Sequence, residues 1–256
     1  MSVTYHQRDG VAVLTLDRPD VFNSIDQPVA DALVAGLNRA GREARAAVIT
    51  GAGRAFCAGA DLGDLMDEYE RDGPDLRRVI DQRFNPIVHA LLDSKVPTVA
   101  AVNGAAAGAG MGLALACDLR VMGEQSFLMS AFVNVALIPD TGSAWMLPNM
   151  VGVSRAMEIA MTGRRVPAEE AFALGLAARV VPADDVVDTA VGMAASLAAG
   201  PTAALVETRT LIHSAAAATL GRTLADEAET QGRLGSQPNH IEGMKAFLEK
   251  RTPDFR

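Results

Sequence analysis

Asn103-Gly-Ala-Ala-Ala-Gly-Ala-Gly-Met-Gly-Leu113 follows the uncharged run from Pro97 to Val102. Val96 to Val102 reads as a buried strand. The small residues after it read as a strand-to-helix turn stripped of side chains, with a glycine-punctuated helix ending near Ala116. One strand earlier, Arg45 to Thr50 ends at Gly51-Ala-Gly53 and runs into a second turn of the same kind, Arg54-Ala-Phe-Cys-Ala-Gly-Ala-Asp-Leu62. At such turns a ligand can approach the main chain, and the first N–H groups of a helix and the positive end of its dipole face it. Two turns from neighbouring strands can each aim one N–H at a single oxygen, forming an oxyanion hole. Taken singly, either turn reads rather as a tight turn with close helix packing.

Outward from these loops, strand and helix signals alternate. Val3 to Gln7 and Val11 to Leu16 flank an Asp9-Gly10 turn and read as a hairpin. Asp26 is placed to cap a helix with Pro28 in its first turn and apolar Val29, Leu33, Val34 and Leu37 on one face. A further helix is expected from Asp75 to Leu92, kinked or split at Pro86. Strands follow at Leu119 to Met122 and Phe127 to Met129. From Ser143 onward helices dominate, at 154–161, 168–174, 184–198, 202–214, 219–234 and 239–250, interrupted by a strand from Ala178 to Val181. Met157, Met161 and Met193 fall on apolar helical faces and read as core. The pattern predicts an α/β core over residues 1–195 and a helical, oligomer-forming region over 196–256.

The 256 residues are 49% hydrophobic and 21% charged, which suits a globular chain with a sizeable core. A net charge of −8, without any block of Lys or Arg, argues against nucleic-acid or anionic-membrane partners. A small anion held by a few local cations and helix N-termini remains compatible. Val96 to Cys117 is uncharged and long enough to suggest a membrane span, yet Pro97, Asn103, Gly104, Gly108, Gly110 and Gly112 break it, so a span is not expected. Cys57 and Cys117 build no disulfide framework, and the start of the chain lacks an apolar signal core; a cytoplasmic location is expected. His6, His89, His213 and His240 are scattered, and no metal site is expected. Gly108-Ala-Gly110-Met-Gly112 has the wrong third spacing for a dinucleotide fingerprint.

Both loops resemble those of the enoyl-CoA hydratase/isomerase (crotonase) family. The likeness begins at Leu16-Asp-Arg-Pro-Asp-Val-Phe-Asn23, includes Cys117-Asp118, and closes at Glu242-Gly-Met-Lys-Ala-Phe-Leu-Glu-Lys-Arg251. It implies a crotonase-like ββα spiral core with a helical trimerisation region, assembled as a homo-trimer or hexamer. It places the family's oxyanion donors on the backbone N–H groups of Ala60 and Ala109, which would hold the thioester oxygen of an acyl-CoA. The substrate is then the coenzyme A thioester itself, and no separate cofactor is expected. The two glutamates of the family's hydratases fall on Gly112 and Phe132, which move no proton. An acid stands instead at Asp140 in Ala136-Leu-Ile-Pro-Asp-Thr-Gly142, whose Leu137-Ile-Pro-Asp140 run resembles the phenylacetate-pathway ring-1,2-epoxyphenylacetyl-CoA isomerase branch. The resemblance thus favours an isomerase with Asp140 as acid/base. Enoyl-CoA hydratase is the alternative, and a non-catalytic acyl-CoA-binding protein is the alternative of another class. From spacing alone Asp140 reads also as a cap of the helix near Ser143. Candidates for coenzyme A contact are Arg18, Ala58, Asp61, Leu62, Phe247 and Lys250, with Arg251 beside them. Asp61 also suits a helix cap, Phe247 and Lys250 would reach a neighbouring subunit's ligand, and Phe84, Phe132 and Trp145 are the aromatic candidates for an acyl pocket.

Overall fold

The computed structural model describes residues 2–66, 73 and 75–255. Its larger sheet has strand order β1 (Val3–Arg8), β2 (Val11–Leu16), β3 (Ala46–Gly51), β5 (Thr98–Val102), β7 (Leu119–Gly123) and β10 (Arg179–Val181). The β1–β2 hairpin is antiparallel and every later pairing is parallel. Asp9 and Gly10 both take positive φ, 51° and 77°, as a two-residue hairpin turn requires. β3 and β5 are buried at every position, the condition of parallel strands covered on both faces.

One face of this sheet packs on α1 (Gln27–Glu43), whose first turn is capped by Asp26 accepting from the Val29 N–H. The other face carries Val11, Val48, Val99 and Val121 against Val186, Ala190, Ala194 and Ala198 of a later helix, Val186–Ala198. Those four helical residues repeat every fourth position, so one narrow stripe of mostly alanine lets the helix lie close to the strands.

A second, smaller sheet joins β4 (Ala55–Cys57), β6 (Ala105–Ala107), β8 (Phe127–Met129) and β9 (Arg165–Pro167) in that order. Sequence reading missed β4, β6 and β9. Each glycine-rich loop therefore leaves the large sheet, adds three residues to the small one, and only then reaches its turn. The second loop ends in α4 (Ala109–Ala116), buried along its whole length. The expected helix from Asp75 to Leu92 is divided: α2 (Leu76–Val79), a π-helical stretch Ile80–Phe84 and α3 (Asn85–Leu92). Pro86 has no N–H to donate into the ladder, which accounts for the wider turn just before it.

After β8 come helix α5 (Ser143–Val151) and helix α6 (Val153–Thr162). Met157 and Met161, expected in the core, are exposed on α6. The last helices are Thr202–Ala215, Leu220–Gly235 and Pro238–Glu249. Arg209, on the first of them, is buried. It donates to Asp118 Oδ2 at 3.2 Å and to the carbonyls of Ser94 and Val96, tying the C-terminal region to the edge of the core. Asp118 Oδ2 also accepts from the Thr98 N–H at 2.7 Å. No single helix among the described residues is long and apolar enough to cross a membrane.

Candidate active site

The two loops meet because Gly59 lacks a side chain. With φ at +95°, a Cβ there would sit 2.8 Å from the Ala107 carbonyl oxygen and 3.1 Å from the Ala109 nitrogen. The first loop is pinned from the opposite side, where the Ile25 N–H donates to Gly59 O at 2.8 Å and the Asp61 N–H donates to Ile25 O at 3.1 Å. In an extended segment successive N–H groups point to opposite sides. Ala60, between those two anchors, thus turns its N–H away from Ile25. On the second loop Gly108 takes φ 54° and ψ −123° and donates its N–H to Met129 O, and α4 begins at Ala109. Ala109 is the first helical residue, so its N–H has no helical acceptor. Neither the Ala60 nor the Ala109 N–H has a hydrogen-bond acceptor among the described residues.

Two asparagines brace these loops. Asn23 donates to Ala52 O and Ala55 O at 2.9 and 2.8 Å, and Asn103 donates to Gly51 O and Gly53 O at 2.8 and 2.9 Å. Both lie inside stretches singled out in the sequence, but nothing in their spacing announced the bracing.

Ala60 and Ala109 open onto one cavity of about 300 Å³ that Asp140 also lines. The remaining wall is apolar, with Leu76, Val79, Ile80 and Phe84 on one side and Phe132, Val135, Leu137 and Ile138 on another. Asp140 is the one ionisable side chain in the wall among the described residues. Burial pushes its carboxyl above the usual carboxylate range, and a hydrogen bond from the Thr141 hydroxyl partly opposes this. Its side chain does not cap α5: the cap position is Gly142, and only the Asp140 carbonyl accepts, from the Ser143 N–H. Such a site can hold a developing oxyanion with two preset donors while one carboxylate moves a proton.

The remaining candidates divide. Ala58 and Leu62 line the cavity with Ala60. Asp61 and Arg18 are turned to each other: Arg18 Nη1 lies 2.9 Å from both Asp61 Oδ2 and Asp26 Oδ2 and donates to Ser24 O. Asp61 Oδ1 also accepts from the Gly63 N–H. Arg18 is thus already balanced by two carboxylates of its own chain. Arg251 is likewise engaged, by Glu242 at 2.6 Å and Glu249 at 2.6 Å. Phe247 is 78% exposed, and neither it nor Lys250 reaches the cavity of its own chain. Trp145 stacks on His213, ring centroids 5.6 Å apart, and stays outside the cavity that Phe84 and Phe132 line.

Two strand layers thus bring two open N–H groups and one carboxylate to a single apolar cavity. The enoyl-CoA hydratase/isomerase family matches residues 6–256. A Rhodobacter capsulatus protein named "Probable enoyl-CoA hydratase" is 43% identical, over 99% of this chain and 97% of the relative. The 1,2-epoxyphenylacetyl-CoA isomerase of Escherichia coli is 38% identical over 98% and 96%. The crystal structure of an enoyl-CoA hydratase from Polaromonas superposes with a TM-score of 0.92 at 34% identity, covering 99% of each chain. The chain belongs to the enoyl-CoA hydratase/isomerase family, and its fold is the crotonase-like spiral that the sequence implied.

Proposed function

We propose that the protein is an acyl-CoA isomerase that shifts a double bond, or rearranges a ring-bearing unsaturated acyl group, through a thioester enolate. The observation that carries this reading is the solitary Asp140 on a cavity wall otherwise free of ionisable groups among the described residues. The Ala60 and Ala109 N–H groups receive the thioester oxygen. Asp140 removes a proton from the α or γ carbon, and the C–H electron pair delocalises onto that oxygen. The same carboxyl then returns the proton at another carbon of the conjugated system, so atoms balance and neither cofactor nor metal is required. A raised proton affinity suits this task, because the group must take a proton and give it back. Ala58 and Leu62 lie where the coenzyme A chain enters, and Phe247 and Lys250 serve the cavity of a neighbouring subunit.

The 38% identity to a 1,2-epoxyphenylacetyl-CoA isomerase supports isomerisation and a ring-bearing substrate of phenylacetate degradation. The name of the 43% identical relative supports hydration as the second reading. Hydration by this site would leave Asp140 to activate water and to supply the α proton alone, since Gly112 and Phe132 offer nothing. The free thiols of Cys57 and Cys117 suit a cytoplasmic enzyme.

Incubation with 2-enoyl-, 3-enoyl- and ring-bearing acyl-CoAs in deuterated water separates these readings. Hydration adds the mass of a water, whereas isomerisation leaves an isomer, labelled with deuterium to the extent that the proton held by Asp140 exchanges with solvent before its return. Wild type is expected to isomerise far faster than it hydrates. Asp140→Asn should bind acyl-CoA within a few-fold while losing turnover by about two to four orders of magnitude. Binding without turnover by wild type would instead favour a carrier protein.

A further inference from the structure

Thr141 is 2% exposed and has a φ of +52°, a region that a β-branched residue rarely enters. Strain of this kind persists only where the surroundings enforce it. Its hydroxyl donates to Asp140 Oδ1 at 2.6 Å. No donor to Oδ2 is found among the described residues, so Thr141 distinguishes the two carboxylate oxygens and leaves one to the cavity.

Gly112 makes this arrangement possible. A Cβ on Gly112 would lie 2.6 Å from the Thr141 carbonyl oxygen, 2.7 Å from Thr141 Cβ and 3.0 Å from Ser143 Oγ. The Thr141 segment fills the space that a side chain at 112 would need.

We propose that Thr141 is the positioning residue of Asp140, and that a side chain at position 112 and a Thr141-held carboxylate exclude each other. This rests on Asp140 being the acid/base. The loss of an acid at 112 and the use of one at 140 are then a single steric exchange. The hydroxyl also stabilises the ionised carboxylate against burial. No second charge competes for that role: α4, α5 and the turn Ala131–Val135 carry no ionisable side chain. The segment opposite presents Leu76, Val79, Ile80 and Phe84 to the cavity, and its Arg83 is paired with Asp64 at 2.7 Å.

The test compares Thr141→Val, which keeps the branched shape, with Thr141→Ser, which keeps the hydroxyl. Removing the hydroxyl raises the Asp140 pKa, so the carboxylate is ionised only at more alkaline pH and the acid limb of kcat should move upward. Thr141→Val is expected to lose kcat about ten- to a hundredfold with KM within a few-fold. Thr141→Ser should restore both kcat and the limb. If Thr141→Val does not fold, Thr141→Ala reads the same limb. Gly112→Ala should shift the limb in the same direction by displacing Thr141. A folded Thr141→Val or Thr141→Ala enzyme with the wild-type kcat and limb overturns the positioning role, and a Gly112→Ala enzyme unchanged in both overturns the exclusion. Full turnover by Asp140→Asn would overturn the reading of Asp140 itself, which these outcomes distinguish.

Discussion

Ala109 shows how much of the site is main chain. As the first residue of α4 it makes no helical hydrogen bond through its nitrogen, and proline is well tolerated at that position of a helix. Ala109→Pro thus removes the proposed donor with little cost to the helix, and should lower kcat about a hundredfold or more. Ala109→Gly keeps the donor and should be mild; equal losses in two folded variants would mean that packing, and not the N–H, matters there. Ala60, Ala109 and Asp140 were all legible as candidates because runs of small residues and an isolated acid stand out along a chain. Thr141 and the bracing asparagines were not, since the partners of a hydroxyl or an amide are set by loops that meet only in space. The pairing of Arg18 with Asp61 was hidden for the same reason, since the first loop meets Arg18 only in space.

At the scale of elements, α4 is apolar on every side and has its N-terminus at the cavity, so its dipole acts where water screens it little. Its other end is closed by buried Arg120, which donates to Cys117 O at 2.7 Å and Leu115 O at 3.4 Å and also to the carbonyl of Leu176. Arg120→Met keeps most of the bulk but strands those acceptors. It should cost about 1–3 kcal/mol of stability in urea unfolding, and an unchanged midpoint would refute this account of the helix end. The long strands and most helices could be read from periodicity and caps. Ala105–Ala107 could not, because three alanines carry no strand preference of their own; β6 is a strand because β4 and β8 flank it. The π-helical stretch before Pro86 was visible only as a kink, since proline shows where a ladder breaks and not how the chain repairs it.

Over the whole molecule, the core ends near Ala198. Beyond it Arg209 and Ala246 are the buried side chains among the described residues, while Ile212, Leu220, Leu224, Ile241, Met244, Phe247 and Leu248 are exposed. Met157 and Met161 are exposed as well, and burying such residues between subunits is the role expected of them in a trimer or hexamer. Light scattering at micromolar concentration should give three or six times 26.8 kDa, and Phe247→Asp should weaken the assembly while leaving the core folded. A monomeric wild type would remove the role proposed for Phe247 and Lys250 across subunits. The open N–H groups of Ala60 and Ala109 have a consequence of another kind. Backbone donors belong to every residue except proline, so ordinary substitutions leave them in place so long as the loops keep their shape. Descent can therefore relocate the proton-moving acid along the cavity rim, one replacement at a time, without ever passing through an ancestor that has lost its grip on the acyl group.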